Sequence, residues 1–229
     1  MAETYKIDSN TWRIEDGFVR FFLLEGSDKA AMIDSGVACP NAAELAAELT
    51  DKPVMLINTH GDGDHTSGTG SFEEIYIHPL DYEGCGIREK FPNTVPVALE
   101  DGETIDLGDR PLKIIHIPGH TRGSVAILDV KKRVLYGGDS IQCGHMFMFG
   151  AHRDVESYEA SLEKIIAMEG EFDIIYPSHH EPSVPGNQAE KVLEVWRKVR
   201  NGELPYETTD VFGTTVKSYT CDGVGFYME

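Results

Sequence analysis

The sequence predicts an α/β fold in a single domain that spans residues 1–229. Short apolar runs of strand length alternate with segments whose apolar residues recur at helical spacing. A chain of 229 residues is within the size range of one such domain, and no shift in composition divides it. Potential metal ligands follow directly after several of the apolar runs. The carboxyl ends of strands are where α/β sheets usually place their chemistry, so these positions form the candidate functional site.

The strands and helices can be assigned in chain order from periodicity and from turn residues. Strands are predicted at 11–14, 18–24, 30–33, 54–58, 74–78, 112–117 and 172–176. Hairpins are predicted from 95–99 with 104–107, from 125–130 with 133–136, and from 214–220 with 224–227. Helices are predicted at 41–49, 80–90, 157–168 and 189–199. The second of these helices is the weakest, because Gly84 and Gly86 lie inside it.

The segment 59–65, of sequence THGDGDH, is the most informative part of the chain. It follows an apolar run and holds four potential metal ligands, which are His60, Asp62, Asp64 and His65. Extended backbone repeats every two residues, so the side chains at 60, 62 and 64 point in the same direction. Two adjacent ligands cannot easily face one ion, so the Asp64-His65 pair indicates two metals served by one loop. The glycines at 61 and 63 have no Cβ, which lets the backbone turn tightly and ions approach.

Three more potential ligands follow predicted strands later in the chain. They are His120 in PGHTRGS, Asp139 in GGDS and His179 in PSHH. A Gly- and Asp-rich segment alone is also typical of a plain surface turn. Histidine or aspartate at three further strand ends is improbable by chance, which favours a metal site over a surface turn.

The motifs HxDxDH, PGHTRGS, GGDS and PSHH occur in this order, and together they resemble the metallo-β-lactamase superfamily of binuclear metal hydrolases. The resemblance extends over residues 11–182. It implies a four-layer αβ/βα sandwich with the metals at one edge, between two sheets. The strand and helix runs assigned above agree with that architecture.

The resemblance also implies two divalent metal ions, with zinc as the first expectation and iron or manganese as alternatives. His60, Asp62 and His120 would hold one ion, Asp64, His65 and His179 would hold the other, and Asp139 would bridge the two. A hydroxide between the ions is the expected nucleophile, because divalent metals lower the pKa of bound water toward neutrality. Asp64 and Asp139 are the expected catalytic residues, and Asp64 would orient the hydroxide or accept its proton.

One residue departs from the commonest motif of this superfamily, HxHxDH, because Asp62 stands at the position of the second histidine. Three carboxylates and a hydroxide then balance two dications, which leaves a neutral centre instead of one positive charge. An oxygen-rich site favours iron or manganese more than a histidine would. The flavodiiron proteins, which reduce oxygen and nitric oxide, carry a glutamate here. A non-haem di-iron redox protein acting on oxygen, nitric oxide or sulfur compounds, without a flavodoxin domain, is therefore the alternative function.

Several positions near these motifs carry open alternatives. Asp34 resembles a superfamily position that supports the site by hydrogen bonding, or it starts a turn. His180 competes with His179 as a ligand, and the PSH placement favours His179. His78 and His116 are expected to be structural.

The apolar run 145–150, HMFMFG, also allows two interpretations. It lines a hydrophobic substrate pocket, or it packs under the sandwich or in a dimer contact. Arg153, shortly after it, is a candidate pocket residue. The oligomeric state is open, with a homodimer as one option.

Composition limits the partners and the location of the protein. The chain has 20 basic and 39 acidic residues and a formal net charge of −19, which repels nucleic acid and anionic membranes. The four cysteines form no CxxC pair, and the first residues lack the pattern of a signal peptide, so a cytoplasmic location is expected. The leading prediction is a metal-dependent hydrolase of a small ester, thioester, lactone or amide with an apolar portion. A binding protein without catalytic activity is disfavoured, because the ligand set of the superfamily is complete apart from the aspartate at position 62.

Overall fold

The computed structural model describes residues 2–229, and its strands form three sheets. The first sheet has seven strands in chain order, which are β1 (Glu3–Asp8), β2 (Thr11–Asp16), β3 (Val19–Glu25), β4 (Ala30–Ile33), β5 (Val54–Ile57), β6 (Glu74–Ile77) and β7 (Val95–Ala98). β1 to β4 pair antiparallel, and β4 to β7 pair parallel. Because β4 to β7 run in the same direction, their carboxyl ends lie at the same edge of the first sheet.

The other two sheets are built from the second half of the chain. The second sheet has the order β14 (Val184–Pro185), β13 (Ile174–Pro177), β11 (Val134–Gly138), β10 (Val125–Asp129), β9 (Pro111–His116) and β8 (Thr104–Asp106). The third sheet has the order β12 (Gly144–Phe147), β17 (Val224–Met228), β16 (Thr214–Cys221) and β15 (Glu207–Val211).

Five α-helices lie among the described residues 2–229, together with a 3-10 turn at Thr69–Ser71. They are α1 (Ala42–Leu49), α2 (Pro79–Gly84), α3 (Ile87–Lys90), α4 (Tyr158–Ile166) and α5 (Gln188–Arg200). α2 begins with proline at its first position, and His78 Nδ1 accepts a hydrogen bond from Leu80 N just there. None of these helices is long and apolar enough to cross a membrane.

The two large sheets lie face to face, with helices on their outer faces. In β3, Phe21 and Leu23 pack on the helix side with Ala42 and Ala46 of α1, whereas Phe22 and Leu24 enter the core between the sheets. The outer face of the second sheet packs against α4 and α5 through Ile115, Leu128, Leu135, Leu162, Ile165, Val192 and Trp196. The layers are helix, sheet, sheet and helix, which confirms the predicted αβ/βα sandwich.

The loops that carry the predicted ligands leave the sandwich at one edge. β9 and β11 both pair antiparallel with β10, and β11 pairs parallel with β13. The carboxyl ends of β9, β11 and β13 therefore share an edge. The loop after β5 joins them there, since Val125 N donates a hydrogen bond to Thr59 O at 2.8 Å.

Two predictions about the middle of the chain are wrong. Segments 95–99 and 104–107 do not form a hairpin, because β7 pairs with β6 in the first sheet while β8 pairs with β9 in the second. The single helix predicted at 80–90 is instead two short helices, α2 and α3. They are separated at Gly86, whose φ of 70° lies in the left-handed region that glycine adopts without strain.

The apolar run 145–150 begins in β12, which ends at Phe147, and its alternate residues have different surroundings. Met146 and Met148 are buried in the core with α4 and α5, so they fill the space under the second sheet. His145, Phe147 and Phe149 point the other way and line the cavity described below. Because successive side chains of a strand point to opposite faces, one short run serves both purposes.

Candidate metal centre

The structure brings all seven predicted ligand side chains to one edge of the sandwich. The loop after β5 carries four of them, and single residues follow β9, β11 and β13. Ligand atoms within 4.8 Å of one another form three groups among the described residues, and Asp62 belongs to none of them. One group is Asp34, His60 and His65. The other two, called the ligand clusters below, are first His60, His120 and Asp139, and second Asp64, His65, Asp139 and His179. Asp139 belongs to both clusters, as a bridging residue would.

The Asp139 carboxylate lies at the middle of the four histidines. Its nearest neighbours are His179 Nε2 at 3.1 Å and His65 Nε2 at 3.2 Å. His120 Nε2 and His60 Nε2 lie at 3.5 Å and 4.0 Å. Every histidine thus turns its Nε2 atom toward the same carboxylate.

The other ring nitrogen of each histidine is held by the protein. The Nδ1 partners are Thr59 Oγ1 for His60 at 3.0 Å, Asp34 Oδ2 for His65 at 3.0 Å, Phe147 O for His120 at 3.0 Å and Phe18 O for His179 at 2.8 Å. A ring held at Nδ1 keeps its orientation and leaves Nε2 free to coordinate a metal. This arrangement is typical of metal-binding histidines.

Several atoms that face the centre have no hydrogen-bond partner. Nε2 of His60, of His65 and of His120 is buried and unpaired, and so is Asp139 Oδ1, whose 3.2 Å approach to His65 lacks hydrogen-bond geometry. Leaving a polar atom buried and unpaired costs about 1–3 kcal/mol, so such atoms rarely occur together. A divalent cation would accept lone pairs from all of them, so the residues fit a metal centre.

Burial and charge shift the pKa values of these groups in different directions. Burial, assisted by neighbouring His65, lowers the pKa of His60 to about 3. Burial also opposes protonation of His179, but the Asp139 carboxylate outweighs it and raises the pKa of His179 to about 10. Burial would raise the pKa of Asp139, yet His179 and His65 hold it well below its usual range. The central carboxylate is therefore ionised, and a cation that binds here displaces a proton from His179, whose pKa is raised.

Asp34 supports the site, as its resemblance to a supporting position suggested. Its Oδ1 accepts a hydrogen bond from Thr59 N, and its Oδ2 accepts one from Thr59 Oγ1, both at 2.7 Å. The same Oδ2 lies 3.0 Å from His65 Nδ1. One buried carboxylate therefore fixes the start of the ligand loop and the ring of His65.

Asp81 is a supporting residue that sequence reasoning missed. It lies buried in α2, and its Oδ2 accepts hydrogen bonds from Gly61 N at 2.8 Å and from Thr121 Oγ1 at 2.6 Å. Its Oδ1 accepts a hydrogen bond from Gly123 N at 2.7 Å. Asp81 thus joins the loop after β5 to the loop that carries His120.

Arg20 of β3 holds the loop that carries His179, and no sequence pattern marks this role either. Its guanidinium donates to the carbonyl oxygens of His179, His180 and Glu181 at 3.0, 2.7 and 2.9 Å. Arg20 is buried, although arginine usually is not. His180 points to the cavity next to His179 and lies outside both ligand clusters.

Tight turning was expected of both glycines of the ligand loop, Gly61 and Gly63, but the structure gives them different roles. Neither has a positive φ among the described residues, so neither makes a left-handed turn. A Cβ at Gly61 would lie 2.6 Å from Cys85 Cβ, whereas a Cβ at Gly63 would meet open space. Gly61 is needed for the close approach of α2, which brings Asp81 to the loop.

Asp62 stands at the edge of the first cluster. Its Oδ2 lies 3.2 Å from His120 Nε2 and 3.9 Å from His60 Nε2. Arg153 Nη2 donates to the same oxygen at 2.7 Å, and Arg153 Nη1 donates to Asp62 Oδ1 at 3.2 Å. Arg153 therefore faces the site, and Asp62 is shared between the arginine and the histidines. His78 and His116 stack on each other with ring centroids 4.1 Å apart and belong to neither ligand cluster.

A cavity of about 800 Å³ opens above the centre. Asp62, Asp64, Asp139, His120 and His179 lie at its floor, and the walls include Phe18, Phe147, Phe149 and Phe212. Phe18 stacks on the ring of His179 at 5.9 Å between centroids, and Phe212 faces Phe147 at 6.0 Å. The cavity therefore combines a polar floor with aromatic walls.

Phe212 reaches the cavity from the turn between β15 and β16. Phe212 and Gly213 have φ values of 53° and 81°, and Val211 pairs with Thr214 across the turn. This two-residue turn has positive φ at both central positions, where asparagine or aspartate followed by glycine is favoured. The next hairpin has Asp222 and Gly223 in the same positions, with φ values of 51° and 77°. Phe212 is thus an unusual residue for its backbone conformation, and it is 86% exposed.

Comparison with known proteins agrees with this geometry. The family model described as the metallo-beta-lactamase superfamily matches residues 14–179, which include all seven predicted ligands. This chain belongs to the metallo-β-lactamase superfamily.

Solved structures of this superfamily share the fold. A metallo-beta-lactamase from Pontibacter korlensis superimposes with a TM-score of 0.73 at 18% identity, over 86% of this chain and 99% of that one. The protein TMB-1 superimposes with a TM-score of 0.72 at 17% identity, over 87% of this chain and 99% of that one.

Two kinds of hydrolase of the superfamily are similar in sequence. Acyl-coenzyme A thioesterase MBLAC2 of Gallus gallus is 26% identical over 196 residues, which cover 69% of this chain and 71% of that protein. Hydroxyacylglutathione hydrolase of Synechococcus sp. (strain JA-2-3B'a(2-13)) is 34% identical over 142 residues, which cover 58% of this chain and 54% of that protein. The chain is a metal-binding hydrolase of this superfamily, and these relatives lend no support to the di-iron redox alternative.

Proposed function

We propose that this protein hydrolyses small acyl thioesters whose acyl group is apolar, using two divalent metal ions, with zinc as the first expectation. The observation that carries the proposal is the position of the ligand clusters at the floor of an aromatic-walled cavity. The polar floor would activate water, and the aromatic walls would hold the apolar part of the substrate.

The residues at the floor, with His60 and His65 buried close to them, would hold the two ions. His60, Asp62 and His120 would bind one ion, Asp64, His65 and His179 would bind the other, and Asp139 would lie between them. Ions bound there supply Lewis acidity, which polarises a substrate carbonyl and lowers the pKa of bound water.

Asp64 is the proposed residue that orients the attacking water. Its side chain is 23% exposed and faces the cavity, with Oδ2 at 3.4 Å from His179 Nε2. Burial would raise the pKa of Asp64, but the hydrogen bond with His179 and the charge of His65 lower it. The lowered pKa keeps this carboxylate ionised at neutral pH, so it can accept a hydrogen bond from the attacking water and orient it.

A thioester fits the site better than an amide does. A thiol has a pKa of about 8.5 and leaves as a thiolate, whereas an amine must be protonated before it leaves. The Arg153 guanidinium at the cavity wall is paired with Asp62 and does not give up its proton. The names of both kinds of relative describe hydrolysis of an acyl thioester, which supports the same substrate class.

The test is thiol release from thioesters of N-acetylcysteamine, a small uncharged thiol, followed with a thiol-reactive dye. Metal-free protein reloaded with zinc is expected to hydrolyse a phenylacetyl thioester about tenfold faster than an acetyl thioester, because only the larger acyl group reaches the aromatic walls. Asp139→Asn should lose both bound metal and activity. Protein that carries two zinc ions and hydrolyses an ester or a lactone, but none of the thioesters, would contradict the proposed substrate class.

A further inference from the structure

The pair of Asp62 and Arg153 distinguishes this centre from the HxHxDH pattern. Arg153 makes two parallel hydrogen bonds to the Asp62 carboxylate, at 2.7 and 3.2 Å. The side chain of Arg153 is 13% exposed and that of Asp62 is 21% exposed, so solvent screens the pair only in part. Two parallel bonds between a guanidinium and a carboxylate fix the orientation of both groups.

Arg153 is positioned together with the first ligand cluster. Backbone hydrogen bonds of 2.8 and 3.0 Å join residues 152–154 to residues 119–122, the loop that carries His120. Asp62 Oδ2 lies 3.2 Å from His120 Nε2. The arginine, the aspartate and the histidine therefore keep fixed relative positions at the cavity wall.

The charge of the centre depends on this arginine. Two dications bound here would be neutralised by three carboxylates, Asp62, Asp64 and Asp139, and by one hydroxide. The guanidinium is always protonated and adds one positive charge. The total then equals that of a centre with a neutral histidine in place of Asp62.

We infer, on the basis of the proposed metal centre, that Asp62 and Arg153 together replace the histidine of the commonest motif. Arg153 is a positioning residue that sets the charge seen by the metal held at His60 and His120. Both of its terminal nitrogens donate to Asp62, so the carboxylate orients the guanidinium.

The experiment measures zinc affinity of metal-free protein by competition with a chromogenic chelator, together with zinc content. Arg153→Met is expected to tighten zinc binding at the site of His60 and His120 by about tenfold, because a positive charge beside the metal is removed. Asp62→His should weaken the same site by about tenfold, because the arginine then has no carboxylate to neutralise it. The double variant, Asp62→His with Arg153→Met, should return to the wild-type affinity.

Two further variants separate charge from orientation. Arg153→Gln keeps a hydrogen-bond donor but no charge, and it should behave as Arg153→Met does. Arg122→Met removes an exposed arginine and should leave zinc affinity unchanged. Weaker zinc binding in Arg153→Met that Arg153→Gln restores would overturn the inference. A double variant that binds zinc as weakly as Asp62→His alone would overturn it as well. Wild-type protein that binds no divalent ion would overturn the metal centre and the inference with it.

Discussion

At the scale of single residues, the centre depends on side chains that never face the substrate. Asp34 and Asp81 are buried carboxylates that hold the ligand loops, and Arg20 holds the loop of His179 through backbone carbonyls. Charged groups of this kind are seldom buried unless they are paired or hydrogen-bonded. Their burial indicates that the loops are held in place before a metal arrives.

Asp81 offers a direct test of this support. Asp81→Asn replaces one carboxylate oxygen by an amide nitrogen, which then faces an N–H or O–H donor. We expect the free energy of unfolding to fall by about 1–3 kcal/mol, and zinc affinity to fall with it. Chemical denaturation and zinc titration measure both quantities, and Asp51→Asn, at an exposed position, is the matched control. Unchanged zinc affinity in a destabilised Asp81→Asn protein would show that the loops do not need this carboxylate.

At the scale of elements, the hairpin of β15 and β16 carries an aromatic residue in a conformation that favours asparagine. The equivalent turn between β16 and β17 has aspartate there, as the backbone prefers. A bulky side chain at positive φ costs of the order of 1 kcal/mol, and its exposure adds no compensating burial. A strained and exposed phenylalanine at the cavity wall is best explained by contact with the apolar part of a substrate.

Phe212→Asn should therefore make the protein more stable but weaken its action on a thioester with an apolar acyl group. The free energy of unfolding is expected to rise by about 1 kcal/mol, because asparagine tolerates this conformation. KM for the phenylacetyl thioester is expected to rise about tenfold, with little change for the acetyl thioester. Tyr206→Ala, which removes an exposed aromatic residue near the foot of the same hairpin, is the control and should change neither KM value. Equal losses on both thioesters would assign Phe212 a purely structural role.

At the scale of the whole molecule, the two edges of the sandwich differ in how their buried charges are balanced. The edge with the ligand clusters gathers carboxylates that a cation would neutralise. At the opposite edge, buried Arg110 donates to Asp129 Oδ2 at 2.7 Å and to Thr11 Oγ1 at 2.8 Å. It thereby joins the second sheet to the start of β2 in the first sheet without any metal.

Removal of Arg110 should destabilise the whole sandwich. Arg110→Met leaves Asp129 buried without its partner, and we expect the free energy of unfolding to fall by about 3–5 kcal/mol. Arg133→Met breaks an exposed ion pair with Asp173 and should have little effect. Urea denaturation of the metal-free forms compares the two variants directly. A loss in Arg110→Met no larger than that in Arg133→Met would mean that the buried pair does not hold the sheets together.

Much of the fold and most of the candidate ligands can be predicted from the sequence, because both depend on short-range patterns. β4 and β5 are local apolar runs, and the ligands stand within a few residues of strand ends. Period-two and helical spacing reveal which segments are strands and helices without any knowledge of their partners. His60, Asp139 and the other ligands are recognisable for the same reason.

The sequence by itself determined the sandwich class, the ligand loops and the departure at Asp62. Only the tertiary structure decided that β7 and β8 belong to different sheets, that Asp81 and Arg20 hold the loops, and that Arg153 pairs with Asp62. These contacts join residues far apart in the chain, and no local pattern marks an aspartate or arginine that will be buried. Side-chain pairing across the sandwich is a property of the packed layers, which is why it had to be observed.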